Sequence, residues 1–221
     1  HGDVRRDLGE LAAFGDHVFG LERHDFGRDG ARDDGADFLG DFDDVAAGFQ
    51  DQRRVGGDAV DHAKKGGVPD IANVRKLQSK HGFGVSLEQA LTDDIGLFSR
   101  YSWNNGQTEA YSFTEVNNSA LIGLSIKGTK LGRPDDVFGI AYAANGISSA
   151  NINFLKAGGS NFFCGDGNIS YQREGILEMY YNVKINSFLW ATADYQRVNN
   201  PCYNADRGPV NVYSIRLHIC F

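Results

Sequence analysis

Five aspartates near the start of the chain have a spacing that suggests cation binding. Asp25, Asp29, Asp33, Asp37 and Asp41 recur every four residues in a glycine-rich stretch. Calcium sites combine closely spaced carboxylates with a glycine that permits a sharp turn. This stretch lacks the alternating acids and the late glutamate of a calcium-binding hand, however. Calcium binding is therefore one of three hypotheses for this part of the chain, and no other metal site or cofactor is expected.

The two other hypotheses follow from composition. Residues 1–62 hold 16 acidic residues and 7 arginines, a net charge of −9, whereas residues 63–221 hold 13 acidic and 15 basic residues, a net charge of +2. The first segment also contains no Ser, Thr, Asn, Lys, Pro or Ile. Its charge and glycines are typical of a disordered tail, while its missing residue types indicate translation of a non-native frame joined to a genuine protein. We accordingly predict two units, residues 1–62 and residues 63–221.

The last segment of the chain contains a serine and a histidine, as a hydrolase site does, but their spacing does not fit a catalytic triad. Ser214 and His218 share one face of a predicted strand, but they are four residues apart and too far for direct contact. No acid is placed by the sequence to complete a triad, and choosing Asp194 would be a guess. We therefore expect that the protein is not an enzyme.

The three cysteines match no metal-binding spacing. Cys164 and Cys202 both fall on predicted external loops, and in an oxidising compartment they are candidates for a disulfide. The alternative is that both remain free thiols. Because the number of cysteines is odd, at least one of the three stays unpaired.

The end of the chain, Val210–Phe221, alternates between two kinds of side chain. Every second residue is apolar or aromatic: Tyr213, Ile215, Leu217 and Ile219. The residues between them include a hydroxyl, a guanidinium and an imidazole. Successive side chains of a strand point to opposite faces, so one face is apolar and the other polar. A strand of this kind that stops on an aromatic residue is typical of the closing strand of an outer-membrane β-barrel, and a soluble edge strand is the plainer alternative.

The same period of two predicts seven strands. They span His81–Leu91, Ile95–Asn104, Ala120–Lys130, Val137–Asn145, Ile176–Lys184, Phe188–Val198 and Val210–Phe221. Three predicted connections are short (92–94, 132–136 and 185–187), and the three between them are long (105–119, 146–175 and 199–209). Short turns at one rim and long loops at the other are typical of an up-and-down membrane barrel. The predicted fold class is therefore all-β, an antiparallel transmembrane β-barrel of which about seven C-terminal strands are present.

Two details of the chain bear on this prediction. The longest loop is expected to contain a helical turn or two at 150–157 and a small hairpin around Gly165-Asp166-Gly167, folded over or into the mouth of the barrel. No apolar run approaches the ~18 residues that a membrane helix needs, and no signal peptide is visible. Because the first residue is His1 and the only methionine is Met179, we expect a fragment or a processed product.

Several stretches, taken together and in order, resemble the carbohydrate-selective outer-membrane porins of the OprB type. They are L-E-Q-A-L-T-D-D-I-G-L-F (87–98), F-T-E-V (113–116), G-R-P-D-D (132–136), G-D-G-N-I-S-Y (165–171), I-L-E-M-Y-Y (176–181) and D-Y-Q-R-V-N-N-P-C-Y-N-A-D-R-G-P-V (194–210). The resemblance runs from about Gly67 to Phe221, and residues 1–62 do not share it.

The resemblance implies a barrel of roughly sixteen antiparallel strands and passive uptake of sugars such as glucose across the outer membrane of a Gram-negative bacterium. The implied partners are mono- or oligosaccharides, outer-membrane lipid, and the barrel-assembly machinery, which would engage the strand that ends at Phe221. No nucleic-acid partner is expected. Seven strands are fewer than half of such a barrel, so we predict the C-terminal part of a porin that forms no working pore alone.

A sugar-selective channel needs hydrogen-bonding side chains and stacking aromatic rings around a wet constriction. The polar face of the predicted strands offers ten pore-lining candidates: Glu88, Arg100, Lys127, Glu178, Tyr180, Trp190, Asp194, Gln196, Arg216 and His218. For each of them, a solvated charge or a cross-strand pair without a role in selectivity is the alternative.

Other residues are assigned structural roles at the two rims. Arg133, Asp135 and Asp136 are predicted to serve a tight turn and its ion pairs. Asn204, Asp206 and Arg207 are predicted to hold an external loop against the barrel wall. An interfacial aromatic girdle is predicted at Tyr101, Trp103, Tyr195, Tyr213 and Phe221.

Two further functions are compatible with the sequence. An unselective, structural outer-membrane barrel would have the same strands and the same loop pattern. A soluble calcium-binding or adhesive β-protein would instead depend on the Asp-rich segment.

Overall fold

Seven antiparallel strands form one sheet in the computed structural model, which describes residues 57–64, 66–74, 79–108, 115–161 and 164–220. The strands are β1 (Gly82–Ala90), β2 (Ile95–Asn104), β3 (Asn118–Gly128), β4 (Arg133–Gly146), β5 (Glu174–Lys184), β6 (Leu189–Asn199) and β7 (Val210–Ile219). Each strand pairs with the next one in chain order. The seven predicted strands are therefore confirmed, with shifts of a few residues at some of their ends.

The connections between strands alternate in length, as the sequence predicts. Residues 91–94, 129–132 and 185–188 join strands at one end of the sheet, which we call the short-turn rim. Residues 105–117, 147–173 and 200–209 join strands at the other end, which we call the long-loop rim. The two ends of the sheet are therefore built differently.

The turn between β3 and β4 lies earlier than predicted. Thr129–Leu131 form a 3-10 turn that ends at Gly132, whose φ of 71° lies in the left-handed region that glycine favours. Strand β4 begins at the next residue, so Arg133, Asp135 and Asp136 belong to the strand. The prediction of a tight turn over 132–136 is wrong, because the chain has already reversed at the glycine.

The two faces of the sheet have different chemistry. We call the side that carries Arg216 and His218 the polar face, and the side that carries Ile215 and Leu217 the apolar face. On β7 the exposed fractions of Ile215 and Leu217 are 82% and 65%. A continuous exposed apolar surface needs an apolar neighbour, and the alternation is the one expected of a strand between lipid and water.

A small hydrophobic core lies outside the sheet. It packs helix α1 (Gly57–Ala63) against helix α2 (Ser149–Lys156), and includes Phe154, Leu155 and Tyr203. The hydroxyl of Ser148 caps α2 by accepting a 3.2 Å hydrogen bond from the backbone N–H of Asn151. The helical segment predicted at 150–157 is therefore confirmed. Within the described parts of the chain, no helix has the length and apolar character needed to cross a membrane.

The hairpin predicted around Gly165-Asp166-Gly167 is wrong. Residues 164–170 form no strand, and the N–H of Asn161 donates a 2.7 Å hydrogen bond to the carbonyl of Cys164. The next backbone pairing is an isolated bridge between Tyr171 and Asn204. The segment pairs with a distant loop instead of with itself.

Candidate functional site

The ten residues proposed to line a pore all lie on the polar face. The register places Glu178 opposite Gln196, and Tyr180 opposite Asp194. Residues directly opposite one another in an antiparallel pair point to the same side of the sheet. The same reasoning applies to all six strand pairs. It places ten candidates on one side of the sheet: Glu88, Arg100, Lys127, Glu178, Tyr180, Trp190, Asp194, Gln196, Arg216 and His218. Their role in lining a pore stays a prediction.

An acidic and hydrogen-bonding cluster lies on the polar face of β5, β6 and β7. Glu178 and Asp194 are buried, with 6% and 8% of their surfaces exposed. The hydroxyl of Ser214 donates a 3.4 Å hydrogen bond to Asp194, and Gln196 lies opposite Glu178. Arg216 adds a positive charge that acts on Glu178. Donors and acceptors therefore stand side by side, which suits a solute whose hydroxyl groups both donate and accept.

Two aromatic rings of the polar face occupy the space beside glycines of the neighbouring strand. Phe98 covers Gly123, and Tyr180 covers Gly139. A Cβ atom at either glycine would overlap the ring. The absence of a side chain at these two positions lets both rings lie against the sheet instead of projecting from it.

Four of the five girdle aromatics lie on the apolar face, towards the long-loop rim. The rings of Tyr195 and Tyr213 are 5.1 Å apart, and the hydroxyl of Tyr195 donates a 2.9 Å hydrogen bond to Asn211. Tyr101 and Trp103 each lie 5.9 Å from the ring of Phe83. The fifth, Phe221, is outside the described residues. A role for these rings at a membrane interface stays a prediction.

A buried carboxylate organises the short-turn rim. Asp136 is only 1% exposed. It accepts a 2.7 Å hydrogen bond from the hydroxyl of Tyr181 and a 3.0 Å hydrogen bond from the N–H of Lys184. It also forms an ion pair with Arg133. Asp135 makes an exposed ion pair of 3.2 Å with Lys184. Ion pairing at this rim is therefore present, but it joins two strands instead of supporting a turn.

The long loops are fastened to each other. Asn204 donates a 2.9 Å hydrogen bond to Asp166, and Arg207 forms an ion pair with the same carboxylate. The N–H of Asp206 donates a 3.1 Å hydrogen bond to Asn204. Asn204 and Arg207 therefore bind the loop of residues 147–173, and the predicted role of the three residues in holding their loop against the barrel wall stays a prediction.

A disulfide joins the same two loops. It links Cys164 to Cys202, whose Cα atoms are 5.6 Å apart. Of the two alternatives for these cysteines, the structure confirms the disulfide. Cys220 is free and exposed.

A buried polar group, which we call the loop cluster, joins all three long connections through Glu115, Asn151, Asn161 and Tyr203. The Glu115 carboxylate accepts hydrogen bonds from the amides of Asn151 and Asn161, the latter at 2.8 Å. The hydroxyl of Tyr203 donates a 2.6 Å hydrogen bond to the Glu115 carbonyl. Burial raises the pKa of Tyr203, and the charges of Glu174 and Glu115 raise it further. The tyrosine therefore stays a neutral donor.

The sequence did not single out the loop cluster. Glu115 stands in the F-T-E-V stretch, whose residues indicate only the resemblance to a family. Its partners lie 36, 46 and 88 residues later in the chain. The available signal was an acid in an asparagine-rich region, and this does not identify a partner.

The candidate hydrolase residues Ser214 and His218 have different neighbours in the sheet. Ser214 lies opposite Asp194, whereas the ring of His218 lies 5.8 Å from that of Trp190. No group of three or more His, Cys, Asp or Glu that could hold a metal ion occurs in the described part of the chain. The repeated aspartates, 25 to 41, lie outside that part.

Comparison with protein-family models matches residues 33–221 to the carbohydrate-selective porins of the OprB family. The match begins upstream of Gly67, where the sequence motifs place the start of the resemblance, so the prediction that residues 1–62 do not share it is wrong for residues 33–62. The division of the chain at residue 62 stays a prediction. Comparison with curated proteins yields no match.

One solved structure, the high-pH structure of OprB from Pseudomonas putida, matches this chain with a TM-score of 0.57 and 19% sequence identity. The match covers 76% of this chain and 40% of that one, so this chain spans less than half the length of the relative. At this identity the likeness shows the fold alone. The described sheet therefore has the fold of part of a porin barrel.

Proposed function

Because this chain belongs to the OprB family of carbohydrate-selective porins, we propose that the protein containing it lets sugars diffuse passively through a water-filled β-barrel. The family implies a channel, and we propose accordingly that the protein is not an enzyme. Porins of this family are outer-membrane proteins, and we assign this protein to the bacterial outer membrane.

The observation that carries the proposal is the division of side chains between the two faces of the sheet. Ten polar or amphipathic candidates share one face, and the other face of β7 exposes Ile215 and Leu217. A barrel strand in a membrane needs this division, since one side meets lipid and the other meets water. A soluble sheet that covered its apolar face with a second layer would bury these residues.

In the proposed mechanism, the polar face offers transient hydrogen bonds to a neutral sugar. The amide of Gln196 supplies a donor and an acceptor, and Arg216 supplies donors, whereas Glu178 and Asp194 are largely buried on the same face. Trp190 lies beside His218 near the short-turn rim, where its ring is available to stack on a pyranose. Each contact must be weak enough to release the sugar, because a channel requires exit as well as entry.

We further propose that the apolar face of the sheet contacts outer-membrane lipid, with the aromatic residues Tyr101, Trp103, Tyr195 and Tyr213 at the membrane interface. The barrel-assembly machinery would recognise the strand that ends at Phe221. Passage of sugars, contact with lipid and assembly are functions of the whole protein. Within the described strands, β1 and β7 each pair on one side only, and an open edge is not stable in lipid.

The test is swelling of liposomes that contain the intact protein. Glucose and mannitol have similar sizes, but only glucose is mostly a closed ring with an apolar face. We expect faster swelling with glucose. Equal rates would indicate an unselective barrel, and no swelling would contradict the channel. Heat-dependent migration in detergent gels would separate a folded barrel from a soluble β-protein.

Two arginines on neighbouring strands give a matched pair of variants. Arg216 points to the polar face and Arg197 to the apolar face. We expect Arg216→Gln to change the rate of glucose swelling several-fold and Arg197→Gln to leave it near that of the parent. Equal effects of the two variants would refute the assignment of the faces.

A further inference from the structure

A cavity of about 400 Å3 opens at the long-loop rim. Its walls come from the end of β2, the start of β3, the loop between these strands, and the segment that leads into α2. Its volume lies in the range of small-molecule sites, about 300–1,000 Å3. Every residue that lines it is uncharged, so the cavity favours a neutral ligand.

The lining has the chemistry of a polyol site. Five of the lining residues carry primary amides, two are serines, and one is Trp103. A primary amide both donates and accepts hydrogen bonds, as a hydroxyl does. An indole ring adds an apolar surface with a preferred stacking geometry. A neutral ring that carries several hydroxyls and has one apolar face matches this combination.

Internal hydrogen bonds hold part of the wall in place. The side-chain oxygen of Asn104 accepts from the amide of Asn117 and from the N–H of Gly106, both at 3.0 Å. The side-chain oxygen of Asn117 accepts from the N–H of Ser148 at 2.7 Å, and the hydroxyl of Ser148 donates to the carbonyl of Gly106 at 2.6 Å. These bonds connect the end of β2, the loop that follows it and the segment before α2. A preformed wall reduces the entropy lost when a ligand binds.

Other polar groups of the lining remain available. The side chains of Gln107 and Ser149 are exposed and form no side-chain hydrogen bond with another described residue. The oxygen of Asn118 accepts a 2.6 Å hydrogen bond from Arg173, and its NH2 group has no partner in the described part of the chain. The cavity therefore combines a fixed wall with free donors and acceptors.

We propose that this cavity binds one hexopyranose unit at the rim, separately from the polar face of the sheet. Gln107, Ser149 and the NH2 group of Asn118 exchange hydrogen bonds with the sugar hydroxyls, and Trp103 covers the apolar face of the ring. This proposal rests on the proposed function in one respect, because only a protein that spans the outer membrane presents the cavity to a particular side of that membrane. The sugar is either a free oligosaccharide or the carbohydrate headgroup of a glycolipid, because both present the same hydroxyls.

The test uses the intact protein in detergent, labelled with 5-fluorotryptophan. The fluorine resonance that disappears in Trp103→Phe belongs to Trp103, and maltotriose is the probe. We expect maltotriose to shift this resonance in a saturable manner. In the double variant Gln107→Ala, Ser149→Ala, the concentration needed for half the shift should rise about tenfold, the loss expected for two hydrogen bonds. Gln172→Ala is the matched control, because Gln172 is an exposed glutamine on another part of the long loops.

The outcomes separate this site from the channel and identify the source of the sugar. No shift, or the same midpoint in the double variant and the control, would overturn the site. Loss of the maltotriose shift when lipopolysaccharide is added supports a glycolipid headgroup, and persistence of the shift supports a free saccharide. A shift that depends on Gln107, without swelling in glucose, would support the site and contradict the channel. Swelling in glucose without this shift would support the channel and contradict the site.

Discussion

The hydroxyl of Tyr181 donates a 2.7 Å hydrogen bond to Asp136, which lies 45 residues earlier and is almost fully buried. The same carboxylate holds the N–H of Lys184 and the guanidinium of Arg133. Three donors from two neighbouring strands therefore meet on one acceptor. This carboxylate therefore joins β4 to β5 at the short-turn rim, whereas the charged residues of the sequence suggested only a polar turn there.

Replacement of Asp136 should destabilise the folded sheet. We expect Asp136→Ala to lower the free energy of unfolding by about 2–3 kcal/mol, because a buried charged acceptor is lost and the donors of Tyr181 and Lys184 are left without it. Asp135→Ala is the matched control, since Asp135 is exposed and its ion pair with Lys184 contributes at most about 1 kcal/mol. Urea-induced unfolding in detergent measures both. Similar losses for the two variants would contradict the role given to Asp136.

Addition of a methyl group at Gly123 should displace the ring of Phe98 towards the polar face. The ring lies where a Cβ of residue 123 would be. If this face lines a pore, Gly123→Ala narrows it, and we expect a lower single-channel conductance in planar bilayers. Combining it with Phe98→Leu removes the overlap with the ring, although not the close approach to the carbonyl of Ile140, and should restore part of the conductance. A correctly folded Gly123→Ala protein with the conductance of the parent would argue against this packing.

Loss of the Cys164–Cys202 disulfide should loosen the long loops. The two cysteines are 38 residues apart in sequence, and a cross-link over such a distance contributes about 3–4 kcal/mol in the chain-entropy description. We expect Cys164→Ser to speed the cleavage of residues 147–173 by an added protease, and Cys220→Ser to leave the cleavage rate unchanged. Peptide mapping without reduction checks the pairing directly. Recovery of Cys164 and Cys202 as free thiols would refute it.

The loop cluster should open at high pH. Burial raises the pKa of Tyr203 above its usual value, so the folded loops disfavour the phenolate. Their stability is complete below about pH 10, the ordinary tyrosine pKa, and decreases above it, because only the open form ionises readily. We expect protease cleavage of the long loops to accelerate above about pH 10 in the parent. Tyr203→Phe should lose most of this pH dependence, at a cost of about 1 kcal/mol from the lost hydrogen bond. Tyr171→Phe is the control for a tyrosine on the same rim.

The strands and their faces could be predicted because they depend on a local signal. Alternation is visible within each strand, and it correctly places Arg216 and Ile215 on opposite sides of β7. The alternation of short and long connections follows from the same pattern. The same alternation excludes a register shift by one residue, which would exchange the faces, whereas a shift by two residues keeps the faces and is excluded only by the geometry of the turns.

The partners of the buried polar residues could not be predicted. Asp136 gives no sign in the sequence that Tyr181 will reach it, and Glu115 gives none that Tyr203 will. These pairs are set by which strand ends and loops become neighbours, and this depends on the complete sheet. The turn at Gly132 was misplaced for a related reason. Charged residues after a glycine are compatible with a turn or with a strand end, and only the pairing of β4 with its neighbours decides between them.

The hydrogen bond between Tyr203 and the carbonyl of Glu115 has a consequence for the order of assembly. It joins residues 88 positions apart, with β3, β4, β5 and β6 between them. Contacts between residues so distant in sequence form slowly, because the intervening chain must first be ordered. The bond can close only after both hairpins between these residues have paired in register. Protection of this tyrosine from chemical labelling during refolding would therefore report the time at which these four strands have paired.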